Sequence, residues 1–360
     1  MTTPIFSPEQ LLKYTQTRLF GQNVSPEQVQ QIHLYNGLLP SELEKVLDVD
    51  GSHTKIIQDN GREPLFFQGE TIHIPQYSGF GRRRRYEELI KAYIQTSKRG
   101  ITLTSHERDN DSRKTNISYD NFAYDFVKRL FQEEDMHDLT VVILGPMTAI
   151  AKQAQVINVR KNEYLDSQIV GIGEKCAVNL NYVYADQAGI IMDKMMREYE
   201  ALARGDGKNF KINVYMFGRV GGLHHNLSRQ DLLFPTGIID DIDLRIGKGR
   251  EYPMHNVLAT SERRYGLNLN VNSIIHETVE QLDAARNGGC MSVDMETRET
   301  VEAINRARRR YAGTLDICFG FAGYVSDLPL QGDTLATELS SDQGEQDAVD
   351  VIMKHLRGTA

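Results

Sequence analysis

Two periods of apolar residues run along the chain, and the change from one to the other divides it. "SPEQLLKYTQTRLF" (Ser7 to Phe20) and "SPEQVQQIHLYNGLLPSELEKVL" (Ser25 to Leu47) both open on Ser-Pro-Glu. Pro suits the first helical position, so both stretches predict helix. A strand-like "LFFQGETIHIP" follows, then a further helix, "RYEELIKAYIQT". After residue 136 the pattern alternates. "LTVVILG" (Leu139 to Gly145) reads as a buried strand and "PMTAIAKQAQVI" as the helix after it. "KCAVNLNYVY" (Lys175 to Tyr184) is a strand, and "ADQAGIIMDKMMREYEAL" is an amphipathic helix. "FKINVYMFG" (Phe210 to Gly218) is a third strand, ending in the Gly-rich turn "RVGGL". "DLLFPTGII" (Asp231 to Ile239), "GCMSVDM" and "LDICFGFAGYVSD" (Leu315 to Asp327) complete the strands, with the helix "TRETVEAINRARRRY" between the last two. "SHERDNDSRKTNIS" (Ser105 to Ser118) and "SSDQGEQD" (Ser340 to Asp347) read as loops.

Strands alternating with helices predict an α/β fold with a mixed, mostly parallel sheet covered by helices. The expected division is a mainly helical accessory region over 1–135 and an α/β domain over 136–360. Ligands of open α/β sheets bind beyond the carboxyl ends of the strands. Four strands here end in polar or glycine-rich signatures: "NYVY", "GRVGGL", "DMET" and "SDLPL". That places Asp294 and Glu296 on a ligand-binding edge and not in a core.

Composition narrows the function classes. The 360 residues suffice for one large α/β domain with an extension, or for two domains. A net charge of −8 disfavours bulk nucleic-acid binding, which needs a surplus of Lys and Arg. No apolar run approaches the ~18–20 residues that span a bilayer, so no membrane partner is expected. The N-terminus lacks the basic-then-apolar order of a secretory signal, and the expected location is cytoplasmic. Three cysteines with no CxxC pair argue for reduced thiols. Arg82 to Arg85 read as a solvated helix start offset by Glu87 and Glu88, with an RNA-binding patch ranked last among the readings. Arg306 to Tyr311 read as a helix C-terminus, where cations suit the macrodipole.

Single motifs are weak. His224 and His225 lack the further ligands of a zinc site, and Asp240, Asp241 and Asp243 lack the Gly and distal Glu of a calcium loop. No metal and no cofactor are expected. Neither a phosphate loop nor GxSxG is present. A DxE beside a strand is most often a helix cap with an acid in the first turn, and Asp294 is assigned that role.

The signals carry more in order: the Gly-Gly turn, "DLLFP", "SVDMET" and "YVSDLPLQGD". That series resembles the nucleoside phosphorylase-I superfamily, and within it the AMP nucleosidases, which cleave the N-glycosidic bond of a nucleotide. "ATSERRYG" and "VNLNYVYADQAGIIMD" extend the likeness, which covers roughly residues 175–360. It implies a nucleoside phosphorylase-like fold, a homo-oligomer, and a purine nucleotide or nucleoside as substrate. By resemblance Asp327 is the acid toward the purine and Glu296 binds the ribose 2′-hydroxyl. Met295 is implied as a wall of the sugar pocket, Arg219 and Gly221 as the turn against the ligand, and Ser326 as the neighbour of the acid. Arg263 and Arg264 are implied for a 5′-phosphate, since guanidinium pairs bidentately with phosphate oxygens; a surface Arg pair is an equal reading. One departure bears on the reaction. Where the family has a Gly-rich, anion-cradling loop, this chain has Asn181-Tyr182-Val183-Tyr184. Bulky side chains fill the space where backbone N–H groups would approach an anion. Tyr182 and Tyr184 either stack on a base or plug that space.

Hydrolysis by water is therefore the leading expectation. Two alternatives stay open: a catalytically silent nucleotide-binding member, and a phosphorylase that takes up phosphate at a relocated anion site.

Overall fold

The computed structural model describes residues 3–20, 24–36, 40–47, 54–57, 64–76, 80–107, 123–132, 139–160, 165–181, 185–243, 248–260, 263–271, 277–334 and 342–358. They form two compact units, one of Phe6–Phe122 and a larger one of Met1–Ile5 with Ala123–Ala360.

The smaller unit holds helices α1 (Pro8–Phe20), α2 (Pro40–Leu47) and α3 (Phe80–Ser97). Its strands are β1 (Gln31–Asn36), β2 (Thr54–Ile57), β3 (Pro64–Gln68), β4 (Thr71–Gln76) and β5 (Thr102–Glu107), in the order β2-β3-β4-β1-β5. Strand β1 runs parallel to both β4 and β5. The region expected to be mainly helical is thus built on a five-stranded sheet. The physical reason is legible afterwards in "QIHLY". Ile32 and Leu34 are buried while Gln31, His33 and Tyr35 are not, the period of two that a strand needs. Gly69, at φ +61°, closes the β3–β4 hairpin. Leu19, Phe20, Ile32, Leu34, Ile72, Ile74, Ile90 and Tyr93 form the core between sheet and helices, with the Phe20 and Tyr93 rings 4.9 Å apart, edge to face. The side chains of Arg82 to Arg85 lie outside the described residues.

The boundary falls after Phe122 and not at residue 135. Helix α4, over residues 123–132, belongs to the larger unit because its apolar side packs there, the Phe131 ring 4.8 Å from that of Tyr199.

The larger unit contains β6 (Val141–Leu144), α5 (Met147–Ala151), β7 (Gln155–Arg160), β8 (Ser167–Ile172), β9 (Lys175–Leu180), α6 (Ala185–Asp206) and β10 (Phe210–Gly222). Then come β11 (Leu232–Leu233), β12 (Gly237–Asp243), β13 (Lys248–Pro253), β14 (Leu267–Asn270), α7 (Val279–Asn287), β15 (Cys290–Asp294), α8 (Thr297–Arg310), β16 (Leu315–Asp327) and α9 (Gln343–Arg357). The sheet is mixed, in the order β13-β12-β14-β15-β10-β6-β9-β8-β7, with β16 paired to β10 and β11. Helices α6 and α8 pack on each other, and α9 packs on β16 and β10. The architecture is α/β, as expected.

Four local expectations change. The helix after β6 stops at Ala151, and "QVINVR" becomes the exposed edge strand β7. The Gly-Gly stretch is not a turn but the last part of β10. "DLLFPTGII" is interrupted at Pro235 and Thr236, where β11 gives way to β12; Pro has no N–H for a ladder. In the stretch read as a polar loop before the C-terminus, Gln343 to Asp347 open α9. Among the described residues no helix is long and apolar enough to cross a membrane.

Candidate active site

Asp327 owes its position to an irregularity in the pairing of β10 with β16. Val220 sits opposite Val325, but Gly221 sits opposite Asp327, so Ser326 is an extra residue in the ladder. A bulge of this kind bends its strand and re-aims the side chain that follows. Gly221 is shared, because on its other side it faces Val293 of β15. Asp327 and Val293 therefore flank one glycine across a single strand, about 10 Å apart at two strand spacings. Strand β15 is antiparallel to β10, so the chain enters the region from opposite directions through β15 and β16. Three residues beyond Val293, Glu296 caps α8.

The glycines are there for packing. A Cβ on Gly221 would meet Val293 Cγ1 at 2.8 Å, and one on Gly222 would meet Leu328 Cδ2 at 2.9 Å. Gly221, expected to line the ligand, is thus explained by the close approach of β15 to β10.

Asp327 is only 6% exposed. Burial pushes its carboxyl up to about 6, opposed by a 2.6 Å hydrogen bond donated by Ser326 Oγ. The Asp333 charge raises it further, while Arg229 and Arg219 pull it down. Arg229 Nε donates to Asp333 Oδ2 at 2.6 Å, and a second guanidinium nitrogen pairs with Oδ1. Arg219 Nε donates to the Tyr324 hydroxyl at 3.3 Å, and Tyr324 donates to Glu345 Oε2 at 3.0 Å. Glu277, immediately before the Thr278 cap of α7, is buried, and its carboxyl is pushed well above the usual carboxylate range, by desolvation first and by the Asp327 charge second.

Asp294 lies in a closed network. Asn268 Nδ2 donates to its Oδ1 at 2.9 Å, Thr297 Oγ1 donates to its other oxygen, and Ser292 Oγ donates to Asn268 Oδ1 at 2.7 Å. Burial and the nearby Glu296 raise Asp294 to about 7. It fastens the start of α8 to β14. Glu296 and Met295 are each half-buried at that corner, Met295 against the Leu223, Leu269 and Val293 cluster.

Other expected positions separate from this corner. Arg263 donates to the Leu258 carbonyl at 2.7 Å and lies over the Phe234 ring. Arg264 pairs with Asp231. Both guanidiniums are committed to neighbours, and neither is among the charges that act on Asp327. Tyr182 and Tyr184 lie outside the described residues. Asn181 is described: its side-chain carbonyl accepts from the Met147 N–H at 3.2 Å, at the start of α5. Behind it, Asn179 and Gln168 are buried and bonded to each other and to the carbonyls of Ile143, Gly145 and Met147. Sequence reading missed Arg229, Asp333 and Glu277. Nothing local marks Arg229 in "NLSRQD" or Glu277 in "HETVEQ". Among the described residues no group of three or more His, Cys, Asp or Glu side chains is arranged to hold a metal ion.

No family model matches the chain, and no curated protein matches it. Solved structures resemble it at low identity. A purine nucleoside phosphorylase from Toxoplasma gondii in complex with immucillin-H is 16% identical, with a TM-score of 0.43, over 62% of this chain and 94% of that one. A 5′-methylthioadenosine/S-adenosylhomocysteine nucleosidase from Neisseria meningitidis in complex with methylthio-immucillin-A is 13% identical, with a TM-score of 0.44, over 61% and 98%. A uridine phosphorylase from Schistosoma mansoni in apo form is 13% identical, with a TM-score of 0.45, over 62% and 88%.

Proposed function

We propose that the protein is an N-glycosidase that hydrolyses the ribosyl–base bond of a purine nucleotide or nucleoside, with Asp327 as the acid toward the base and Glu296 holding the ribose. The observation that carries the reading is the Asp327 carboxyl itself. It is buried at a bulged strand end and titrates near 6, so it keeps a proton available close to neutrality.

Breaking the C1′–N bond leaves positive charge on the sugar and negative charge on the departing base. A proton passed from Asp327 to a purine ring nitrogen makes the base a neutral leaving group. An anionic Glu296 accepts hydrogen bonds from the ribose hydroxyls and stabilises the oxocarbenium-like sugar, as in glycosidase carboxylate pairs. Water supplies the hydroxyl that ends on C1′, and its remaining proton restores the acid. The Ser326 hydrogen bond, then Arg229, fixed by Asp333, and Arg219 oppose the upward push of burial on the Asp327 carboxyl. Asn181 favours water over phosphate as acceptor, because its amide already fills the N–H of Met147 at the first turn of α5.

The test is base release from AMP, adenosine and inosine, with and without phosphate. The expected result is phosphate-independent release that falls at least ~10²-fold in Asp327→Asn, the usual scale for losing a general acid. Release that requires phosphate would establish a phosphorylase, and binding with no release would establish the silent reading.

A further inference from the structure

Helix α8 carries the Glu296 corner at its N-terminus, and at its other end, about 20 Å away for fourteen residues, lies a cavity of a different character. Its volume is about 420 Å³, within the ~300–1,000 Å³ range of small-molecule sites. It opens between α8 and α6, lined by Arg306, Arg309, Arg310 and Tyr311 from the one and by Asp193 and Arg197 from the other. Four guanidiniums thus face one carboxylate in a chain whose net charge is −8.

The pairing inside the cavity is uneven. Arg306 donates to Asp193 at 2.8 Å and lies 3.9 Å from Glu302, so its charge is met. Arg310 lies over the Tyr311 ring, 5.6 Å from its centroid, which fixes the guanidinium without neutralising it. Arg197, Arg309 and Arg310 make no ion pair among the described residues. The C-terminal end of α8 is itself negative, so attraction for an anion here comes from the side chains. Tyr311 is buried and offers no open ring face for a base.

We propose that this cavity is a second ligand site, separate from the Asp327 corner, that takes the polyphosphate chain of a small molecule. Three unpaired guanidiniums match several adjoining phosphoryl groups, each of which accepts forked N–H donors from arginine. A single orthophosphate engages fewer of them and binds more weakly.

Calorimetric titration of the full chain with tripolyphosphate, pyrophosphate and orthophosphate at low salt tests this. Binding should weaken in that order. Arg197→Gln with Arg309→Gln should weaken tripolyphosphate binding at least tenfold, and Asp327→Asn should leave it unchanged. The single Arg309→Gln variant, on an exposed side chain, gives a several-fold loss if the double variant does not fold. Absence of tripolyphosphate binding, equal affinity in the arginine variants, or loss in Asp327→Asn would overturn the proposal. Because the readout is binding and not base release, it fails independently of the glycosidase reading.

Discussion

A carboxyl held at about 6 by burial is stabilised in its protonated form, and the sign of its effect on stability follows from that. Between the unfolded value of 3.8 and about 6, the folded chain binds a proton at Asp327 that the unfolded chain releases. Stability from this group therefore falls as pH rises through that window, and above it the folded state carries a buried charge. Asp327→Asn removes the penalty. Denaturant titration should find the variant as stable as the parent near pH 4 and more stable at pH 8, by up to about 3 kcal/mol. If the parent is the more stable at pH 8, Ser326 and the arginines outweigh burial in favour of the carboxylate, and the acid role fails with it. On the proposed mechanism the same proton sets the rate. For the parent, kcat/KM for base release should decline above about pH 6, approaching tenfold per pH unit, since the free enzyme's acid form is the competent one. Asp294 is raised to about 7 but is enclosed by Asn268 and Thr297, and it fastens the start of α8.

At the scale of elements, β10 is the piece on which the site depends, since it is the strand between β15 and β16. Its two glycines at 221 and 222 let the neighbouring strands close to the point where Val293 and Asp327 share a residue. Gly218, in the same strand, has open space where its Cβ would be. Gly221→Ala should therefore cost about 1–3 kcal/mol, the range for overpacking a filled core, and should lower base release by moving β15 and Glu296 away from Asp327. Gly218→Ala is the matched control and should change both measurements little. Equal effects at the two positions would mean that the close approach of β15 is not what positions the site.

The elements legible in the sequence were those with a strong period of their own. Helix α8 and strand β16 have nearly the boundaries that their apolar pattern gives, and α6 begins where expected. Strand β1 was hidden because "QIHLY" stands between two helix-start signals, and β7 because an exposed edge strand buries no alternating face to reveal it. The candidate site was legible only where its residues are contiguous in sequence, as in Asp294 to Glu296 and Ser326 to Asp327. Arg229 and Glu277 act on Asp327, or answer to it, across tens of residues of sequence, and no local spacing encodes that.

At the scale of the molecule, the chain starts in the larger unit, leaves it after Ile5 and returns at Ala123. The first segment is anchored by backbone bonds to the start of α7. The Ile5 N–H donates to the Glu277 carbonyl at 3.3 Å, and the Val279 N–H donates to the Thr3 carbonyl at 2.9 Å. Thr3 is also bonded through its N–H and hydroxyl to the Glu280 carboxylate, both at 2.8 Å. Ile5 packs with the Leu269 and Leu282 cluster. This short segment therefore holds the backbone of the buried Glu277, although more than 270 residues separate them in sequence. Deleting Met1 to Ile5 removes two backbone hydrogen bonds of about 1 kcal/mol each and the Ile5 packing, a loss of roughly 2–4 kcal/mol at this corner. Amide exchange at Val279 and Leu282 should then speed by at least tenfold, while exchange at Ile32 and Leu34 in β1 keeps its parental rate. Base release should fall as Glu277 loses its fixed place. Unchanged exchange at Val279 would show that α7 holds Glu277 unaided, and the opening residues would then have no part in the site.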